Sequence, residues 1–183
     1  MSNSVISNSK LIIGDSNSFF IKLKGFENLS VPGYRVNEVL DKLKELDTGE
    51  TLIIGAGVND TAIIKDINDG NEINPDIDDF KNTYRELLSL AKRKFKKVIV
   101  LGLLTSTEEK VKLNGAEIQY QNEVIVKYNK LVKELCGKNN IEFVDLLPYF
   151  TGREDELLVD HIHPNEDGKE IILSCLRGRL YAK

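Results

Sequence analysis

The sequence predicts an α/β protein: a three-layer α/β/α sandwich around a central parallel sheet of about five strands. Three observations predict it. Short, almost wholly apolar runs recur along the chain, as strands buried on both faces require. Between them, apolar residues return every third or fourth position, the period of a helix with one buried face. The two patterns alternate, and parallel neighbouring strands need a helical crossover between them.

The first strand is "LII", running into Gly14-Asp15-Ser16 and the start of a helix. The segment "FENLSVPG" is a weaker extended stretch that supplies a further strand. Val36, Val39, Leu40, Leu43 and Leu46 make the first helical stripe, and "TLIIGAG" from Thr51 the next strand. Residues 61–75, "TAIIKDINDGNEINP", read as a long loop. Ile77, Phe80, Tyr84, Leu87, Leu88, Ala91 and Phe95 form the second stripe, followed by the strand "KKVIVLGLL". A second long loop covers residues 105–116, "TSTEEKVKLNGA". Ile118, Ile125, Tyr128, Leu131, Val132 and Leu135 form the third stripe, before the strand "IEFVDLL". Ile171, Ile172, Cys175, Leu176 and Leu180 form the last.

At 183 residues the chain fits one domain, residues 1–183, with enough length to bury a core. Its 41% hydrophobic and 30% charged residues are ordinary for a globular protein, and a formal charge of -4 argues against a nucleic-acid partner. Basic residues do cluster in "AKRKFKK", residues 91–97, where they suit the solvated end of an amphipathic helix. Cys136 and Cys175 sit at helix-spaced apolar positions and read as buried thiols without metal-ligand spacing. The start, "MSNSVISNSK", is polar and unlike a signal peptide, and no apolar run reaches the length of a membrane span. The expected location is cytoplasmic.

In parallel sheets, ligands bind beyond the carboxyl ends of the strands, so the loops that follow strands carry the search. Four places hold suggestive chemistry: Gly14-Asp15-Ser16, Gly33 in "VPGY", "GVND" at 57–60, and "VDHIHPN" at 159–165. A serine becomes a good nucleophile only beside a base, commonly a histidine oriented by a carboxylate. The chain has two histidines, His161 and His163, and Asp160 precedes His163 by three residues. That spacing lets one carboxylate meet one ring nitrogen while the other faces outward. Pro164 restricts His163 to an extended conformation. Asp145 in "FVDLLPYF" is the alternative acid.

In order and spacing, these four blocks resemble the motif blocks of the SGNH/GDSL hydrolases. The resemblance implies a flavodoxin-like α/β/α sandwich, in agreement with the periodicity. It further implies Ser16 as nucleophile, His163 as general base and Asp160 as its partner, with an oxyanion hole from the Ser16 N–H, the Gly33 N–H and the Asn59 side-chain amide. Neither cofactor nor metal is required. The expected activity is hydrolysis of acyl esters through an acyl-enzyme, on short acyl groups such as O-acetyl on a carbohydrate. Lysophospholipase- or thioesterase-like activity, acyl transfer by the same triad, and a catalytically silent binding module are the alternatives.

Asn17 departs from the family, many members of which carry an apolar residue there. The two long loops are expected to rim the site, with Ile63, Ile64 and Ile67 either core or lining for an acyl group. A nucleotide-binding domain fits poorly. "GAG" at 55–57 is followed by Val58 and Asn59 and then Asp60, where the dinucleotide fingerprint has glycine, and no P-loop occurs.

Overall fold

The computed structural model describes residues 9–181; the polar stretch "MSNSVISN", read above as no signal peptide, lies outside them. The elements run β1 (Lys10–Gly14), α1 (Ser16–Phe19), β2 (Glu27–Asn28), α2 (Val36–Glu45), β3 (Gly49–Gly55), β4 (Ala62–Asp66), β5 (Glu72–Ile73) and α3 (Ile77–Lys94). They continue with β6 (Phe95–Leu101), β7 (Val111–Leu113), β8 (Ala116–Tyr120), α4 (Asn122–Lys138), β9 (Glu142–Val144), α5 (Leu147–Phe150), α6 (Glu154–Leu157) and α7 (Glu166–Leu180).

A five-stranded sheet in the order β2-β1-β3-β6-β9 forms the centre, and all its pairings are parallel. "FENLSVPG" does supply the fifth strand, as a two-residue edge: Leu11 pairs with Glu27 and Ile12 with Asn28. Alternation along each strand sends side chains to opposite faces. Leu11, Ile13, Leu52, Ile54, Val98 and Val100 pack with the buried stripes of α2, α3 and α4. Ile12, Ile53, Ile99 and Leu101 pack on the other face with Phe150, Leu157, Ile172 and Leu176 of α5, α6 and α7. The architecture is the expected three-layer sandwich. A Leu→Ala change at a fully buried position such as Leu43 or Leu87 carries a cost of about 2–5 kcal/mol.

The basic cluster closes a helix, as its pattern predicts: Lys92, Arg93 and Lys94 occupy the last turn of α3. Lys94 Nζ also donates to the Leu43, Lys44 and Leu46 carbonyls, placing a cation on the C-terminal end of α2. Phe95 opens β6 instead of extending the helix. Cys136 is buried, but Cys175 is only partly so, because it lies towards the margin of the α7 stripe.

The largest correction concerns the two long loops. Residues 61–75 and 105–116 contribute β4, β5 and β7, which join β8 in a second, antiparallel sheet ordered β5-β4-β8-β7. Apolar residues alternate with polar ones in β7 and β8, so Ala116, Ile118 and Tyr120 share a face, while β4 opens on the apolar run Ala62-Ile63-Ile64. Ile118 therefore belongs to β8 and not to the stripe of α4, which starts at Asn122. Of Ile63, Ile64 and Ile67, the first two lie in β4: Ile64 packs partly buried against the core, while Ile67 is 51% exposed just beyond the strand. The turn between β7 and β8 is Asn114-Gly115, both at positive φ (48° and 81°), the backbone that a tight hairpin needs. No helix among the described residues is long and apolar enough to cross a membrane.

Candidate active site

Parallel strands place their C-terminal ends on one sheet edge, and the segments after β2, β1 and β3 meet there. Gly14 ends β1 so close to β3 that a Cβ would stand 1.9 Å from the Gly55 carbonyl oxygen and 2.4 Å from Ser18 Oγ. Only glycine permits that approach. Asp15 then caps α1, its side chain accepting the Asn17 N–H at 2.9 Å, and Ser16 is the first residue of this four-residue helix. Asn28 on β2 pins the far end of α1, its amide donating to the Ser18 and Ile21 carbonyls.

The Asp160–His163 segment lies before α7. Asp160 Oδ1 accepts the Ile162 N–H at 2.9 Å and the His163 N–H at 2.8 Å, which fixes a tight turn. Asp160 Oδ2 lies 2.8 Å from His163 Nδ1, and His163 Nε2 lies 2.9 Å from Ser16 Oγ. Partial burial pushes the Asp160 carboxyl up, but the Ile162 N–H, the His163 ring and the His163 N–H outweigh it and hold it below the usual carboxylate range. Pro164 precedes α7, and Asn165 is its cap, accepting the Gly168 N–H at 3.0 Å. Asp145 points its carboxylate elsewhere, 2.8 Å from Lys133 Nζ and 3.4 Å from Asn129 Nδ2.

Gly33 sits at φ 85° after Pro32, in a turn closed by the Tyr34 N–H donating to the Val31 carbonyl at 3.3 Å. Pro followed by Gly at positive φ is the signature of a type II turn. Asn59 begins a 3₁₀ turn, Asn59–Thr61, after β3. Its amide donates to the Tyr34 carbonyl at 2.9 Å, tying this turn to that of Gly33. Five residues singled out in the sequence thus form two groups: Ser16, His163 and Asp160 in one chain of hydrogen bonds, and Gly33 and Asn59 joined through Tyr34. No hydrogen bond links the second group to Ser16.

Other residues of the site were given no role by the sequence: Asp15 and Asp60 fall inside motif blocks, and Tyr120 carried no signal. Full burial pushes the Asp15 carboxyl up to about 7, against the pull of the Asn17, Val58 and Gly57 N–H groups and with the nearby charge of Asp60 adding to the rise. Burial likewise pushes Asp60 up to about 7, although the Val36 N–H and the Arg35 guanidinium pull it down. Tyr120, on β8, donates its hydroxyl to Asn59 Oδ1 at 3.2 Å and stacks on the His161 ring at a centroid distance of 5.7 Å. A serine hydroxyl held against an imidazole that is itself held by a carboxylate can pass its proton to the ring as the oxygen attacks a carbonyl.

Solved structures with a similar fold include a lipase/acylhydrolase from Enterococcus faecalis (TM-score 0.73, 16% identity, 94% of this chain and 95% of that one covered). They also include a GDSL-like lipase from Bacteroides thetaiotaomicron (0.74, 20%, 94% and 87%) and an acetylxylan esterase from Geobacillus stearothermophilus (0.70, 17%, 97% and 96%). No curated protein matches the sequence. The model of the GDSL-like Lipase/Acylhydrolase family matches residues 17–171, from the position after Ser16 to within α7. With that match across most of its length and the five-stranded α/β fold, the chain belongs to the GDSL-like lipase/acylhydrolase family and is an ester hydrolase.

Proposed function

We propose that the enzyme cleaves short acyl esters, such as O-acetyl groups on a carbohydrate, through a Ser16–His163–Asp160 triad. The observation that carries this reading is the unbroken chain from Asp160 Oδ2 through the His163 ring to Ser16 Oγ, with both contacts under 3 Å. In it, Nδ1–H donates to Asp160 and leaves Nε2 to accept the serine proton. Ser16 Oγ attacks the ester carbonyl, and His163 takes the proton and returns it to the departing alcohol. The acyl-enzyme is then released by a water that gives its proton to the same nitrogen.

The negative oxygen formed in each step is met by the Ser16 N–H, the Gly33 N–H and the Asn59 amide. Donors fixed in advance favour the transition state because they meet charge only as it develops. The choice of a short acyl group on a carbohydrate is supported by the mostly polar sequence of residues 61–75 and 105–116, which supply most of the second sheet.

The test is hydrolysis of esters graded by acyl length, alongside acetylated xylo-oligosaccharides and a thioester, with and without an acceptor alcohol. Ser16→Ala serves as control. The expected result is greatest turnover on acetyl esters, none in Ser16→Ala, and labelling of Ser16 by a serine-directed phosphonate. Ester turnover by the purified Ser16→Ala variant at the wild-type rate would refute the mechanism, and a maximum at long acyl chains would refute the substrate class.

A further inference from the structure

We infer that Tyr120 is a positioning residue for ester hydrolysis, holding the Asn59 amide so that one of its N–H groups is presented to the reacting carbonyl oxygen. This rests on the reading of Asn59 as an oxyanion donor and adds the device that orients it.

A side-chain amide has a donor end and an acceptor end of nearly the same shape, so its neighbours must choose between the two orientations. The Tyr34 carbonyl oxygen only accepts, and it lies 2.9 Å from Asn59 Nδ2. The Tyr120 hydroxyl lies 3.2 Å from Asn59 Oδ1 and can donate to it. Burial pushes that hydroxyl up to about 12, so it keeps its proton at neutral pH. Together the two contacts hold both ends of the amide. One Nδ2 hydrogen is taken by Tyr34, and the other is left in a fixed direction with no partner among the described residues.

The second sheet brings Tyr120 there. In the antiparallel pairing of β4 with β8, Tyr120 stands opposite Ala62, the residue that follows the Asn59–Thr61 turn. The end of β8 is itself clamped. Ser106 Oγ donates to the Tyr120 carbonyl at 2.6 Å, while Asn122 accepts the Ser106 N–H at 2.7 Å and donates to its carbonyl at 2.9 Å. The ring is 8% exposed and stacks at 26° on His161, two residues before His163. Tyr120 is thus too enclosed to bind substrate directly, yet it touches both the Asn59 turn and the histidine loop.

Tyr120→Phe keeps the ring and removes only the hydroxyl. Turnover of p-nitrophenyl acetate and circular dichroism melting are measured for wild type, Tyr120→Phe, Asn59→Ala, the double variant and Ser16→Ala, all at a temperature where each is folded. Tyr120→Phe should lower kcat roughly tenfold with KM unchanged, short of the roughly 10²- to 10³-fold expected on removing the donor itself. The double variant should be no slower than Asn59→Ala, because the hydroxyl acts only through that amide. Wild-type kcat in Tyr120→Phe, a change confined to KM, or an equal further loss in the Asn59→Ala background would each overturn the proposal. Asn59→Ala separates the two failures: wild-type kcat there refutes the reading of Asn59 as an oxyanion donor, whereas a slow Asn59→Ala beside an undiminished Tyr120→Phe refutes only the role of Tyr120.

Discussion

Asp160→Asn is nearly isosteric, yet it should be among the most damaging changes in the molecule. In the native site Oδ1 accepts two backbone N–H groups, from Ile162 at 2.9 Å and His163 at 2.8 Å, while Oδ2 accepts His163 Nδ1–H at 2.8 Å. Asparagine has one acceptor oxygen, and the two backbone donors claim it. Its NH₂ then faces Nδ1, which must become the acceptor, so the ring proton moves to Nε2. That places an N–H against Ser16 Oγ, where the mechanism needs a free lone pair. Restoring the productive tautomer means turning the amide over and leaving the two backbone donors facing its NH₂. At roughly 1–3 kcal/mol for each of the two donors left unpaired, the penalty is about 2–6 kcal/mol, or roughly 30- to 10⁴-fold in kcat. A loss of about 10⁴ accompanies the equivalent change in a serine protease triad. The assay is kcat on p-nitrophenyl acetate with a melting curve on the same preparation, and the melting temperature should move little because the turn keeps its backbone bonds. A folded Asp160→Asn enzyme within tenfold of wild type would refute the tautomer argument.

Two further outcomes follow from polar groups behind Ser16. Asp15 and Asp60 stand near 7 in the fold against an ordinary value of 3.8, so the folded chain binds their protons more tightly than the unfolded one. The stability this contributes is complete below 3.8 and is lost as pH rises through about 7, on the order of 2–4 kcal/mol for each group. Calorimetry from pH 5 to 8 at constant salt should show a melting temperature that falls with pH, and Asp60→Asn, which can still accept the Val36 N–H, should flatten the decline; an identical slope in the variant would contradict the assignment. Asn17 Oδ1 is buried with no hydrogen-bond partner among the described residues, and Asn17 lines a small pocket beside Leu101, Leu103, Leu104, Leu146 and Ile172. Asn17→Leu should therefore stabilise the fold by roughly 1–3 kcal/mol, raising the melting temperature by several degrees; a lower melting temperature would show that the amide is needed.

Much of this was legible in the sequence because the signals were local. Continuous apolar runs named β1, β3 and β6, and the three-to-four period named α2, α3, α4 and α7, since burial on two faces or on one stripe leaves its mark on consecutive residues. Ser16, Gly33, Asn59, Asp160 and His163 could be singled out for a related reason: each lies in a short block of the chain, the first three after strands and the last two just before α7. The second sheet was misread as loops because its strands are short and half-exposed, so their alternation was weak. The Asn114-Gly115 pair that turns β7 into β8 is a local hairpin signal, and reading residues 105–116 as a loop passed it over.

What the sequence determined by itself was the layer order and the residue types gathered at one sheet edge, for these depend on periodicity and on parallel connection alone. Only the tertiary structure decided which carboxylate serves His163. Asp145 and Asp160 both follow plausible elements, but in the fold Asp160 Oδ2 meets His163 Nδ1 while Asp145 pairs with Lys133. Tertiary packing alone also buried Asp15, set a partly buried Asp60 near it, and brought the Tyr120 hydroxyl to an amide sixty-one residues away. Contacts of that kind depend on where side chains from separate elements meet in three dimensions, and no periodicity along the chain encodes them.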